Sequence, residues 1–249
     1  MMKKGERAKD LTKNSLYRLF FVDKLYRVPR IWSNCELRKV AGLFRGSVIN
    51  VSAWKDEDKE GNVYKEYFTK ADSYTITNFD SDKRGMQGKI NEIYLDLEKE
   101  LPAEMRGKYD VVFNHTTLEH VYDFRKAVKN ICALSRDIVI IVVPFLQPMH
   151  GDYGDYWRFS PLAVKRLLEE NGLSMLCLKY NDTRRAAVYV FGVGTKKPKQ
   201  WSTVFNKESN EANRDYFVSM KDSAGYRAIN NNLLFKIIAY LKMKFKKNR

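Results

Sequence analysis

One eighteen-residue stretch, PFLQPMHGDYGDYWRFSP at 144–161, gathers His150, Asp152, Asp155, Arg158 and five aromatic side chains. A histidine titrates near neutrality, so His150 can take a proton in a reaction. Asp155 or Asp152 beside it could fix its tautomer and orientation. The plainer role for His150 is a hydrogen bond that orders the loop. Tyr153, Tyr156 and Trp157 offer flat apolar faces that suit the C–H faces of a sugar ring, whose hydroxyls Asp and Arg side chains would match. Phe159 is expected to pin the loop to the core. Arg158 either pairs with one of the carboxylates or binds substrate.

A second cluster lies upstream in NHTTLEHV at 114–121, with Asn114, His115, Glu119 and His120. Glu119 near the start of a helix suits the helix dipole whatever else it does. His115 and His120 are five apart rather than the i, i+4 pair of a zinc helix, so with His150 they do not read as a metal set. No metal is expected.

The elements that must position these residues are legible as apolar runs. SVINVS (47–52), SYTITN (73–78), EIYL (92–95), DVVFN (110–114), DIVIIVV (137–143), SMLCLKY (174–180) and AAVYVFGVG (186–194) read as strands. Helical spacing separates them at 33–44, where Ser33 and Glu36 form a capping-box pattern, at 63–71, at 123–135 and at 160–172. In the last, Ser160 caps, Pro161 opens and Gly172 ends the helix. Such alternation predicts a seven-stranded doubly wound sheet of Rossmann type. The link NDTRR is too short for a crossover helix and makes the last strand antiparallel. Ligands then bind beyond the carboxyl ends of the strands, where the strand order reverses, and both clusters follow such ends.

Composition sets the outer limits. The chain has 249 residues, 44% hydrophobic and 13% aromatic, enough for one large domain with a packed core. Cys35, Cys132 and Cys177 are widely spaced and read as reduced, buried thiols. No secretory signal is expected, since the basic N-terminus lacks an apolar segment followed by small residues. The net charge of +15 sits at the ends: residues 1–30 and 230–249 each carry +6, leaving +3 between them. In the last segment Leu233, Leu234, Ile237, Ile238, Leu241 and Phe245 share one helical arc with lysines around it. This basic amphipathic helix either lies on an anionic membrane surface or packs on the domain. The reading divides the chain into a basic helical N-terminal extension (1–32), a central domain (33–196) and a C-terminal extension (197–249). A nucleic-acid partner is not expected, because the central crevice lacks a basic stripe interleaved with aromatics.

In order along the chain, YLDLEKELP, YDVVFNHTTLEHVYDFRKAVKNI and VVPFLQPMHGDYGDYWRFSPLAVKRLLEENGL resemble segments of the class I S-adenosylmethionine-dependent methyltransferases. More narrowly they resemble methyltransferase-like proteins of bacterial surface-glycan gene clusters. The resemblance spans roughly residues 35–195. It implies a cytoplasmic enzyme, peripheral at the inner membrane face if its ends bind there, that moves the methyl of S-adenosylmethionine to a hydroxyl of a glycan or lipid-linked saccharide. His150 would be the base and Asp155 its partner. Asn50, Ser52, Asn78, Asp80, Asp96, Leu97 and Asn114 would bind the cofactor. His115, Asp152, Tyr153, Tyr156, Trp157 and Arg158 would bind the acceptor. Ser52 and Trp54 stand where the family has glycines, and Asn78 where it has the acid that accepts the ribose hydroxyls. Those departures support the alternative, a catalytically inactive glycan-binding or partner-binding protein with a degenerate cofactor site.

Overall fold

The computed structural model describes residues 26–80, 85–151, 154–181, 183–205, 224–229 and 237. Helix α1 (Arg27–Ala41) leads into seven strands: β1 (Gly46–Val51), β2 (Ala71–Asn78), β3 (Glu92–Tyr94), β4 (Tyr109–His115), β5 (Ser135–Leu146), β6 (Ser174–Tyr180) and β7 (Val188–Thr195). Helix α2 (Phe124–Leu134) joins β4 to β5, and α3 (Pro161–Glu170) joins β5 to β6. The sheet order is β3-β2-β1-β4-β5-β7-β6. Only β7 is antiparallel, paired with β5 on one side and β6 on the other. The order reverses between β1 and β4, which opens the crevice there.

The apolar run of β5 is buried on both faces because its alternate residues serve two cores. Ile138, Ile140 and Val142 pack with Leu37, Val40, Ala41 and Phe44 at the α1 side. Val139, Ile141 and Val143 pack with Val128, Ile131 and Leu168 from α2 and α3. Truncating Ile140, which is fully buried, to Ala would cost ~2–5 kcal/mol. At Gly192 in β7 a Cβ would sit 2.8 Å from Val164 Cγ1, so α3 approaches the sheet only because that position is bare.

Several local expectations are corrected. The first helix begins at Arg27 and runs straight through the expected boundary at 32/33. Ser33 is therefore no cap but a buried residue in the helix, its Oγ donating to the Arg30 carbonyl at 2.9 Å. Glu36 pairs with Lys39 and Lys179 instead of closing a capping box. The helix expected at 63–71 is a single 3-10 turn, Tyr64–Tyr67. Its polar environment explains this: Asp56 accepts the Lys65 amide and the Tyr64 amide bonds the Asp56 carbonyl, so the backbone is held by the preceding loop. The α3 signals work as expected, with Ser160 accepting the Ala163 amide and Pro161 first in the helix. Cys132 and Cys177 are buried, whereas Cys35 is exposed on α1.

Among the described residues no helix is long and apolar enough to cross a membrane. The basic segment 1–25, and the C-terminal arc apart from Ile237, lie outside the described residues.

Candidate active site at the strand ends

The turn after β1 is built without glycine. Ser52, Trp54 and Asp56 all have left-handed φ, at 58°, 50° and 63°. Each costs on the order of 1–2 kcal/mol for a residue with a Cβ, so the surroundings must impose the path. β2 does this. The Ser52 amide donates to Thr77 Oγ1 at 3.0 Å and the Ala53 amide to the Thr77 carbonyl at 2.9 Å. Asn78 clamps Trp54 from both sides, its Oδ1 accepting the Trp54 amide and its Nδ2 donating to the Trp54 carbonyl and to Glu92 Oε1. Asn50 in turn donates to Asp56 Oδ1 at 2.7 Å, which also accepts from the Tyr74 hydroxyl. Burial still pushes the Asp56 carboxyl above its ordinary range. Asn78 is therefore a brace of the turn as well as a residue of the crevice wall. Trp54 stands on the wall of the crevice, its ring faced by Lys55 and Lys59 at 5.0 and 4.5 Å, and leaves the crevice open.

At the end of β4, Asn114 is fully buried and donates to the Val51 carbonyl, tying β4 to β1 away from the crevice wall. His115 is bound on both ring nitrogens. Arg30 Nη1 donates to Nδ1 at 2.8 Å, so the proton is on Nε2, 2.9 Å from Ser33 Oγ. Burial, reinforced by the Arg30 cation, pushes this imidazole well below its usual pKa and keeps it neutral. Its ring aims Arg30. Arg30 also donates to Thr116 Oγ1 at 2.9 Å and Tyr64 Oη at 3.3 Å. A guanidinium keeps its proton, yet among the described residues the hydrogen-bond partners of this half-buried one are all neutral.

The third wall comes from the Leu118–His120 turn and the 144–161 loop. Backbone bonds knit them: the Tyr156 and Trp157 amides both donate to the Glu119 carbonyl, and the Phe159 amide to that of Pro144. Arg158 spends its donors inside the loop, on both Asp155 oxygens and on the Gln147, Pro148 and Trp157 carbonyls. It is a staple, not a substrate ligand. Partial burial would raise the Asp155 carboxyl, but Arg158, the His150 amide and the His150 ring bring it down to about 2. Trp157 donates to the Tyr122 carbonyl and packs on Phe124, also structural. His150 sits 3.3 Å from Asp155, as expected, but behind His120 rather than on the crevice wall. Asp152 and Tyr153 lie outside the described residues.

What remains is a cavity of about 400 Å³, within the range of small-molecule sites of roughly 300–1,000 Å³. Of the expected cofactor residues, Asn50, Ser52, Asn78, Asp96 and Leu97 line it; Asp80, exposed beyond β2, and Asn114 do not. Of the expected acceptor residues, His115 and Tyr156 line it. The sequence reading missed Arg30, filed among the basic residues of the N-terminal segment. It also passed over Phe79 and Tyr122, exposed aromatics on the wall. Arg30 lies at the β4 end of the cavity, while Glu57, Asp96 and Glu98 contribute acid along the β1 turn and after β3, with Lys59 on the same turn.

No family model matches the chain. No curated protein matches it in sequence. In fold it is similar to a candidate methyltransferase from Bacillus halodurans C-125, with a TM-score of 0.50 and 11% identity, covering 65% of this chain and 97% of that one. It is equally similar to the candidate methyltransferase solved in complex with the Trm112 methyltransferase activator of Haloferax volcanii, with a TM-score of 0.50 and 10% identity over 67% of this chain and 90% of that one. The likeness establishes the fold, the mixed seven-stranded sheet of class I methyltransferases.

Proposed function

We propose that this chain binds S-adenosylmethionine in the cavity and transfers its methyl group to a hydroxyl of a saccharide acceptor. The observation that carries the reading is Arg30, a half-buried cation on the cavity wall whose hydrogen-bond partners among the described residues are all neutral. Such a group calls for an anion, and the ligand's carboxylate fits it. Asp96, Leu97 and Phe79, all on the cavity wall, suit an adenosine: a carboxylate for a hydroxyl or amine and apolar faces for a ring. When bound, S-adenosylmethionine supplies an electrophilic methyl group on a sulfonium. The left-handed turn at Ser52 and Trp54 retains the backbone path that glycines usually provide, which argues against the inactive alternative.

At the acceptor side, Tyr122 and Tyr156 stand edge to face with centroids 5.4 Å apart, both exposed at the cavity rim. This pair suits the apolar face of a sugar. The acceptor's proton leaves toward Glu119, His120 and His150, of which His120 faces the cavity. His150 supports that cluster from behind instead of meeting the acceptor.

Calorimetry of the full chain with S-adenosylhomocysteine tests the reading, with micromolar binding expected. No heat and no thermal stabilisation at millimolar ligand would overturn it. Tyr122→Ala and Tyr156→Ala are expected to lower methyl transfer to saccharides while sparing affinity for S-adenosylhomocysteine.

A further inference from the structure

The Glu119–His120–His150 cluster has features that proton transfer does not require. One ligand-type atom from each residue lies within 4.8 Å of the other two. Glu119 is completely buried, and neither carboxyl oxygen has a hydrogen-bond partner. His120 Nδ1 donates to the Gly154 carbonyl, which fixes the tautomer and leaves the lone pair on Nε2, 3.7 Å from Glu119 Oε1. Histidines that bind metals are oriented in this way by a carbonyl on the far nitrogen. His150 Nδ1 is buried and out of line for a hydrogen bond to Asp155 at 3.3 Å.

We infer that Glu119, His120 and His150 form a binding site for one divalent first-row transition cation. Two imidazoles and a carboxylate are a donor set for such ions, and open positions remain for an exogenous oxygen. Ligand atoms on a tetrahedral ion at ~2.1 Å stand roughly 3.4 Å apart; the Glu119–His120 spacing of 3.7 Å is close to this, and with all three atoms within 4.8 Å of one another His150 must draw in by at most about 1.4 Å. The cation gives a buried Glu119 oxygen the partner that no described residue supplies. It sits behind the cavity wall that His120 contributes to, next to the acceptor side. The site stands on its own geometry; its part in methyl transfer rests on the function proposed above. There the acceptor hydroxyl reaches the cation past His120 and becomes its ligand, so the cluster holds the metal in place of taking the proton, which passes to water. The oxygen forms its bond to the methyl carbon as the carbon–sulfur bond breaks, the electron pair staying on sulfur.

The test is titration of the chelator-treated full chain with Co2+, read by calorimetry and by the visible absorption of the bound ion. One equivalent is expected to bind with micromolar affinity. Glu119→Gln, nearly isosteric and suited to the buried position, and His120→Ala should each weaken binding at least ten-fold, with the far-ultraviolet spectrum and Tm checking that each variant folds. Absence of stoichiometric binding, or equal affinity in folded Glu119→Gln, His120→Ala and His150→Ala variants, would overturn the inference. S-adenosylhomocysteine affinity measured on the same samples separates the two ideas. Binding of that ligand without Co2+ sinks only the metal site, and Co2+ binding without it sinks only the methyl-transfer reading.

Discussion

The two sides of the cavity solve opposite problems. On the β1 side, three residues adopt a backbone shape suited to glycine, and nearly every polar group nearby is consumed in holding them: Thr77, Asn78, Asn50 and Asp56 all bond to the turn or to each other. On the Glu119 side the backbone is well tied, but side-chain atoms are left wanting, among them both Glu119 oxygens and His150 Nδ1. The first side is strained along its whole turn and satisfied; the second is strained at one residue, Thr116 (φ 51°), and unsatisfied. Strain held by internal bonds makes a rigid platform, whereas buried unsatisfied groups mark where a ligand supplies the missing partner.

Arg30 belongs with the unsatisfied side although it reaches the cavity from α1, and replacing it should give the largest effect. Arg30→Met is expected to weaken S-adenosylhomocysteine by about 3 kcal/mol, roughly a hundred-fold, by calorimetry. The same variant should roughly keep its urea midpoint, since the half-buried cation that is removed has no charged hydrogen-bond partner among the described residues. A fall in stability equal to the fall in affinity would place Arg30 with the platform instead. On the satisfied side the ordering reverses. Asn78→Ala orphans the Trp54 amide and carbonyl and should cost about 2 kcal/mol of folding stability in urea titrations.

The pH dependence sharpens the contrast further. His115 is held neutral in the fold, while in the unfolded chain a histidine takes up a proton below about pH 6.5. The unfolded state then binds more protons, so stability falls as pH drops below that value, by up to ~1.4 kcal/mol per pH unit, and is unaffected above it. Comparing the unfolding of the native chain with His115→Asn across pH 4.5–8, an interval of roughly one and a half units either side of the histidine value, isolates this contribution, which the variant should lack. Smallest is the release of strain. Ser52→Gly should stabilise the chain by up to about 1 kcal/mol in thermal unfolding, because glycine adopts the left-handed turn without a Cβ clash.

Much of this architecture is written locally. An uninterrupted run such as IVIIVV in β5 has no polar face and so must be central, and Ser160-Pro161 states where α3 begins. The start of α1 was misread because Ser33 and Glu36 fit a capping box by spacing, while Pro29, acceptable in a helix's first turn, was the better signal. The site was only partly legible. That the loop at 144–161 and the 114–121 turn converge follows from strand order alone. The roles within them do not, since they depend on which donors are already taken: Arg158 by its own loop, Asn78 by Trp54, His115 by Arg30 and Ser33. Nothing adjacent in sequence distinguishes Arg30 from the other basic residues near it; only the packing of α1 on the sheet brings it to Thr116.

That packing has a consequence for how the molecule can be observed. The residues with which α1 covers one side of the sheet, Leu37, Val40 and Ala41, lie two to three turns from the guanidinium that reaches the cavity. Occupancy of the cavity and docking of the helix are therefore thermodynamically linked, and each must favour the other by the same factor. Slowed amide exchange along Arg27–Ala41 would register ligand at a distance, from a segment that touches it through a single side chain.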